Sequence, residues 1–506
     1  MEENVGAKAK KGIAWTAIYN FFEYIFRIVS GIILARILFP EDFGLMGIAM
    51  IAVQFARRIT SFGFNMVLVQ RKEIHREHYD TVFFTNLILM GLLTTSFILL
   101  ADYLAEFFNN DKLKPIFVVV GFDFVLRALN SVPTAILTRE MKFKESGMAG
   151  AIEEFVAMFS PVFLAMAGFG VWSLVMGSLL GSIAHIMSVY YYTRWYPKFQ
   201  FRIWAFKEVF SFGLWVFVNN YISYFIKKVD YFFIAKLLNA TQLGYYERAF
   251  KLMTFPRNKI FKKINGVMFS AYSRVQESDK KLIKGILRVT TYASIVTYPL
   301  MIWMFFAAPS FITVLYGPKW ELTIVPLKIM CISGIFQTFS IIFTPLLYAK
   351  GLVGHQTRRQ FFYLLILSGM ILLGIRWGIN GVAWGVTMAS FIQLALMVHL
   401  TVRKISMPLI KFLKAQQSTV IYGLIQIGLL QAFQFFVSPI FDIKSWQMLI
   451  SVSILSVVII VGAHLTIRFK DLDDIFTELF HEIKKYARKM PIIKQMAFLS
   501  PKVKLD

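Results

Sequence analysis

Cysteine occurs once in the 506 residues, at Cys331. No internal disulfide can form, and the apolar run around it makes Cys331 a small packing residue. Histidine is scarce too, with seven residues, one HxxH spacing at His75 and His78 and no HExxH motif, so there is little to suggest a zinc site. No GxGxxG or phosphate-loop glycine pattern occurs, and nothing points to nucleotide chemistry or to any other cofactor. Charge is the third scarcity. Only 16% of the residues are charged, against 57% hydrophobic, and the mean hydropathy is +0.61. A soluble chain of this length needs a far more polar surface, so the composition is that of an integral membrane protein. Acids are the scarcer sign, 29 against 54 Lys and Arg, for a net charge of +25. In a soluble chain that surplus would indicate nucleic acid. Its distribution along this chain assigns it elsewhere.

What is present is a series of long apolar segments. A helix crosses the roughly 30 Å hydrocarbon core in about 20 residues, and about fourteen segments qualify. They centre near Phe26, Ala56, Leu92, Val125, Phe159, Ile183, Phe225, Pro256, Thr297, Phe339, Ser368, Phe391, Leu430 and Ile454. The eighth, near Pro256, is so charged that hydropathy alone would pass over it. The first follows the lysines of MEENVGAKAKKGIAW, but its run from Gly12 to about Leu38 contains Glu23 and Arg27. It reads as a retained spanning helix and not as a cleaved signal peptide.

The connections alternate in charge. One set, with both ends of the chain, holds roughly 34 basic residues against about four in the other, which predicts cytoplasmic termini in a plasma membrane. The +25 is therefore a record of topology and gives no sign of nucleic acid. The outer connections are all short, FPEDF, NNDK, GFG, NATQ, RWGIN and SPIFDIKSW among them. None offers the sizeable outer loop that a membrane polymerase or ligase needs. The tail after about Phe469 is basic and amphipathic, as expected of a helix lying on anionic lipid.

The chain also repeats itself. GIILARILFPEDFGLMGIAM (31–50) aligns with YFFIAKLLNATQLGYYERAF (231–250) at a constant offset of two hundred positions. Ala35-Arg36 meets Ala235-Lys236, Gly44 meets Gly244 and Ala49 meets Ala249. The gapless register extends to Trp15/Trp215, Asn20/Asn220, Tyr24/Tyr224, Arg57/Arg257 and Asn65/Asn265. A second echo links GFGVWSLVMGSLLGS (168–182) to GINGVAWGVTMASFI (378–392), both rich in small residues that let helices approach closely. Segments one to six and seven to twelve thus read as two copies of one unit, entering the membrane from the same side. Transporters built of such parallel repeats bind substrate between the halves near mid-membrane. The predicted organisation is a first lobe at 1–205, a second at 206–414, two further helices at 415–468 and the tail at 469–506.

Ionisable groups inside spanning helices are costly and face a cavity or a partner. Glu23 and Arg27 share a stripe in the first segment, as do Ser223 and Lys227 in the seventh, with Asp230 adjacent. Arg57-Arg58 lie in the second segment, and Arg248, Lys251, Arg257 and Lys259 in the eighth. The Glu23/Arg27 and Asp123/Arg127 pairs, each at i, i+4, are spaced for mutual neutralisation. The eighth segment has too few acids to cancel its bases, so its basic stripe is expected to face an aqueous, cationic cavity. Such a cavity suits an anion, and arginine suits phosphate. Glu153-Glu154, with Glu23 and Asp230, are the candidates for carrying H+ or Na+. Trp15, Tyr24, Trp215 and Tyr224 are candidates for stacking on sugar rings, against the commoner role of plain packing.

The stretches LARILFPEDFGLMGIA, GFNMVLVQRKEI, TVFFTNL, VPTAILTREMKFK, GFGVWSLVMG, LGYYERAFKL and VLYGPKWELTIVPLKIM, in that order, resemble the Wzx-type polysaccharide flippases. These belong to the multidrug/oligosaccharidyl-lipid/polysaccharide (MOP) exporter superfamily. The resemblance covers nearly the whole chain to about residue 414. A departure is Ser270 in FSAYSRVQ, where relatives often have proline. The resemblance implies two six-helix lobes in a V and a cationic cavity lined by helices one, two, seven and eight. It further implies transfer of undecaprenyl-diphosphate-linked sugar repeats between leaflets, and a polysaccharide polymerase as partner. A cation-coupled multidrug antiporter and a lipid II flippase are the alternatives within the superfamily. The first is disfavoured by the excess of bases in the eighth segment.

Overall fold

A computed structural model describes residues 26–59, 68–69, 74–198, 224–256 and 262–467, and among these there is no β-strand. The helices are α1 (26–37), α2 (Pro40–Ile59), α3 (Arg76–Leu99), α4 (Ala101–Phe107), α5 (Leu113–Arg139), α6 (Phe143–Met166) and α7 (Val171–Thr193). They continue with α8 (224–237), α9 (Ala240–Pro256), α10 (Lys262–Ser273), α11 (Asp279–Leu315), α12 (Ile324–Ala349), α13 (Val353–Gly374), α14 (Gly378–Ile405), α15 (Leu409–Val437) and α16 (Trp446–Ile467). Among the described residues, nine stretches are long and apolar enough to cross a membrane, and one of them, Val353–Ile405, takes in both α13 and α14. Their outward side chains are large and apolar, such as Leu92, Phe163, Leu373 and Val457, as contact with lipid tails requires. The described parts of the charged eighth segment lie in α9 and α10.

The helices pack as two units. One is drawn from Met1–Leu252, Phe311–Met330 and Thr357–Ser390, the other from Met253–Ser310, Cys331–Gln356 and Phe391–Asp506. In the first, α6 and α7 pack closely. A Cβ on Gly181 would lie 2.6 Å from that of Ala157, and one on Gly177 would lie 2.2 Å from the Pro161 ring. The second echo behaves alike, since a Cβ on Gly385 of α14 would fall 2.5 Å from the Met370 carbonyl of α13. Small residues at these crossings bring backbones together where lipid provides no hydrophobic drive.

The second unit centres on Phe339, Phe343, Leu346 and Leu347 of α12, packed with Leu282 and Ile286 of α11 and Met397 and Leu400 of α14. The two carboxy-terminal helices dock on α11 through polar pairs. Ser294 donates to Thr419 (3.0 Å), Tyr298 to Gln416 (3.0 Å), Trp303 to Ser453 (3.0 Å) and Gln434 to the Phe306 carbonyl (3.0 Å). Gln426, fully buried, donates to the Pro299 carbonyl (3.2 Å) and to Ser456 (2.6 Å). In hydrocarbon such groups have few other partners, so the pairs fix which face of α15 meets α11.

Candidate functional site

The repeated stretch forms a junction of the two repeats within the first unit. Each copy ends one helix and starts the next, and each supplies half of a capping box. In the first copy Asp42 accepts from the Phe39 N–H (2.8 Å), with Pro40 opening α2. In the second, Asn239 accepts from the Gln242 N–H (2.8 Å) at the start of α9. The two helices then cross at their glycines. A Cβ on Gly44 would lie 1.7 Å from the Ala240 carbonyl oxygen, and one on Gly244 would lie 1.9 Å from that of Pro40. Pro40 and Ala240, like the two glycines, are equivalent under the repeat, so the contact is reciprocal.

The two cations that precede these turns are reciprocal as well. Arg36 donates from Nε to the Leu315 carbonyl (3.0 Å) and from Nη2 to that of Val314, at the end of α11. Lys236 donates to the Phe107 carbonyl (2.5 Å), at the end of α4. Both place positive charge on the unfilled carbonyls of a helix C-terminus, where it is most favourable. Trp320, fully buried, donates to the Ala35 carbonyl (2.7 Å), and Lys319 to the Arg36 carbonyl (2.8 Å). Trp320 is therefore a core residue of this junction.

Arg248 belongs to the same junction. Its guanidinium lies 3.7 Å from the centroid of the Phe43 ring, 5.6 Å from Trp320 and 5.9 Å from Tyr316. Those rings replace water around a delocalised charge. Lys251 pairs with Glu247 one turn back (2.9 Å), so the basic stripe is partly cancelled on its own helix. Tyr224 is buried, its hydroxyl donating to the Ile51 carbonyl (2.6 Å) and its ring against Phe55. That packing covers the ring which was a candidate for sugar stacking. Asp230, also buried, accepts from Tyr246 (2.8 Å). Lys227 is exposed on α8. Arg58 lies in the last turn of α2, with its side chain outside the described set, and Trp15, Glu23, Tyr24, Trp215, Arg257 and Lys259 also lie outside the described residues.

A second cluster of ionisable groups lies about midway along the helices of the first repeat. Asp123 of α5 and Ser182 of α7 are each about 15 Å from the amino-terminal end of their helix at 1.5 Å per residue, near the centre of a ~30 Å hydrocarbon core. Asp123 Oδ2 accepts from Arg127 Nε (3.0 Å) and from Arg57 Nη2, and Oδ1 accepts from Ser182 (3.3 Å). The i, i+4 pair expected between Asp123 and Arg127 is present, with Arg57 of α2 as a third member. Arg27 pairs with Glu154 of α6 (2.6 Å). Glu153 meets Nδ1 of His185 on α7 (2.9 Å), whose Nε2 lies 3.5 Å from the Thr134 hydroxyl. Sequence reasoning singled out Arg27, Arg57, Glu153 and Glu154 but missed His185 and Ser182. A histidine and a serine three residues apart on a small-residue helix share one face, which is the signal that was available.

The described residues thus form long apolar helices, with acid–base pairs about midway along those of the first repeat and a repeat-related junction at one end. The chain superposes on the lipid II flippase MurJ in an inward closed conformation with a TM-score of 0.72, covering 91% of this chain and 99% of that one at 16% identity. It matches an inward-facing multidrug resistance MATE family transporter of the MOP superfamily with a TM-score of 0.61, over 76% and 94% of the two chains at 15% identity. These likenesses define the fold. The chain belongs to the polysaccharide biosynthesis protein family, whose model matches residues 33–325. Among its relatives are the lipopolysaccharide biosynthesis protein WzxC of Escherichia coli (strain K12), 23% identical over 405 residues, 79% of this chain and 82% of that protein. The succinoglycan biosynthesis transport protein ExoT of Rhizobium meliloti (strain 1021) is 25% identical over 356 residues, 69% and 71% of the two chains.

Proposed function

We propose that the protein is a carrier, not an enzyme, which moves undecaprenyl-diphosphate-linked oligosaccharide repeats from the inner to the outer leaflet of the plasma membrane. Its termini are cytoplasmic, and the glycan goes to surface polysaccharide, handed to a polymerase. The observation that carries this reading is the contrast between the two clusters. The outer ends are joined through backbone contacts, aromatic rings and helix-end caps, while the ionisable side chains gather at mid-depth. A carrier of a charged headgroup needs a closed outer end and polar groups below it, exchanged between two states of access.

In this reading the prenyl tail stays in lipid. Arg27, Arg57, Arg58, Lys227, Lys251, Arg257 and Lys259 attract the diphosphate and acidic sugars, and Trp15, Tyr24 and Trp215 meet sugar rings. Outward movement of a dianion is favoured by an inside-negative potential, by about 2.3 kcal/mol per charge per 100 mV. A coupling H+ or Na+ is carried by the acids at mid-depth, with Glu153 facing His185, Glu154 facing Arg27, and Glu23 and Asp230 the other candidates. Relatives named for lipopolysaccharide, succinoglycan and teichuronic acid biosynthesis support the substrate class.

The test is chemical. A strain lacking this protein should accumulate a lipid-linked oligosaccharide on its cytoplasmic leaflet, and the Arg57→Ala variant should fail to relieve the block. No such accumulation, or a gain in drug sensitivity in its place, would overturn the reading.

A further inference from the structure

Resting on the oligosaccharide reading above, we infer that the turn after α4 and the end of α8 form a binding site for one uncharged sugar ring, made by Tyr103, Glu106, Asn109 and Lys236. In the topology proposed above, this end of the helices faces outward, where the glycan leaves the carrier.

The site begins with an asymmetry in the junction. Arg36 and Lys236 are images under the repeat, and each caps a helix end. The backbone at Arg36 is taken up, since Trp320 donates to the Ala35 carbonyl and Lys319 to that of Arg36. At Lys236 no side chain of the described residues donates to the carbonyls of Ala235 or Lys236. A cavity of about 320 Å³ adjoins Lys236 instead, lined by Tyr103, Glu106, Phe107, Asn109 and Lys236. Small-ligand pockets start at about 300 Å³, so it has room for a small ligand and not for a whole repeat unit.

The chemistry of the lining names the ligand class. Tyr103 is 65% exposed, a flat aromatic face open to a ligand. Lys236 donates to the Phe107 carbonyl (2.5 Å) and lies 4.4 Å from the centroid of that ring. Glu106 makes no ion pair among the described residues, although acids near it do: Asp102 with Lys114 (2.6 Å) and Glu41 with Lys112 (2.7 Å). The carboxylate of Glu106 and the ammonium of Lys236 therefore line one cavity without bridging it. Asn109 adds an amide that both donates and accepts. One acid and one base cancel, so the lining carries no net charge, and it holds no guanidinium fork for phosphate. What it offers is an aromatic face for the apolar C–H side of a sugar ring, with acceptors and donors for the hydroxyls. A tyrosine at a membrane surface is ordinarily an anchor, but an anchor has no need of an unbridged acid and base beside it.

The measurement is saturation-transfer NMR on the purified full chain in lipid nanodiscs. The probes are the methyl glycosides of glucose, galactose, mannose and N-acetylglucosamine, with inorganic pyrophosphate as competitor. At least one glycoside should bind in the millimolar range, and pyrophosphate should not displace it. Tyr103→Ala should weaken that binding by about three- to tenfold, the scale of one aromatic contact. Glu106→Gln should weaken it by about tenfold, the scale of one charge-assisted hydrogen bond. Asn109 has a φ of 52°, which glycine adopts without strain. Asn109→Gly should therefore weaken binding while melting no lower than the wild type, which separates a ligand from a turn residue. Binding of none of the four glycosides would overturn the site, and so would wild-type affinity in both Glu106→Gln and Asn109→Gly. Displacement by pyrophosphate would overturn the assignment to an uncharged ring. The carrier reading fails separately, through a deletion strain that accumulates no lipid-linked oligosaccharide.

Discussion

Replacing Gly44 with alanine should cost far more than the usual effect of that exchange, and in the opposite sense. In an unobstructed helix, alanine is favoured over glycine by about 0.8–1.0 kcal/mol. At Gly44 the added Cβ would fall 1.7 Å from the Ala240 carbonyl oxygen, 2.4 Å from its carbon and 3.0 Å from its Cα. All three are backbone atoms in the first turn of α9, so no side-chain rotation relieves the overlap. To restore ordinary contact near 3.5 Å the helices must part by roughly 1–2 Å, which opens the packing around them. Overpacking of this kind costs about 1–3 kcal/mol, and more where backbone must move.

Gly244→Ala meets the same obstacle at 1.9 Å from the Pro40 oxygen, so it should destabilise by a similar amount. The double variant should cost less than the sum, since helices already parted by one methyl leave room for the other, and neighbouring sites couple. The controls are Gly31→Ala in α1 and Gly91→Ala in α3, where nothing lies within 4 Å of the added Cβ and the helix-propensity gain should appear. The assay is unfolding in detergent, followed by tryptophan fluorescence, since Trp320 sits in the junction. If Gly44→Ala proves as stable as Gly91→Ala, the crossing described here is not the one the protein makes.

Arg36→Gln and Lys236→Gln should each lower stability by about 0.3–2 kcal/mol, since each removes positive charge from the carbonyls at a helix end, and the same unfolding assay reads both. Arg248→Ala should destabilise the fold, by about 0.5–2 kcal/mol per lost ring contact, and should do so whether or not substrate is bound. A melt with and without farnesyl diphosphate checks this. Gln426→Leu should loosen α15 and α16 from α11, at about 0.6–1.7 kcal/mol for each of its two hydrogen bonds, and disulfide trapping between cysteines placed on α11 and α15 should report the change. Glu153→Gln should abolish transport driven by an imposed pH gradient in proteoliposomes while leaving transport driven by membrane potential; equal response to the pH gradient in variant and wild type would remove Glu153 as the proton carrier.

How far the sequence reached depends on how far apart the interacting residues are. Pairs one helical turn apart, such as Asp123 with Arg127 and Glu247 with Lys251, follow from spacing alone. Arg27 with Glu154 and Arg57 with Asp123 join different helices, and spacing within one helix does not name the neighbouring helix. The same limit explains Arg248. Counting acids in its own segment left it needing water, whereas its partners are Phe43, Tyr316 and Trp320, brought in from α2 and the connection between α11 and α12.

The repeat reached further than spacing did, for a reason of symmetry. When two copies of one unit meet across an axis, each contact from the first to the second has an image from the second to the first. The glycine crossings and the helix-end caps obey this, so aligning Gly44 with Gly244 and Arg36 with Lys236 identified both members of each pair. It follows that residues without an image are the ones the shared architecture does not require. Glu247, Arg248 and Lys251 stand where the first copy has Gly47, Ile48 and Ile51. Charged groups at such depth are costly, so they are kept for something the second repeat does alone. For Arg248 that is the aromatic contact with Phe43 of the first repeat, which makes the junction asymmetric there.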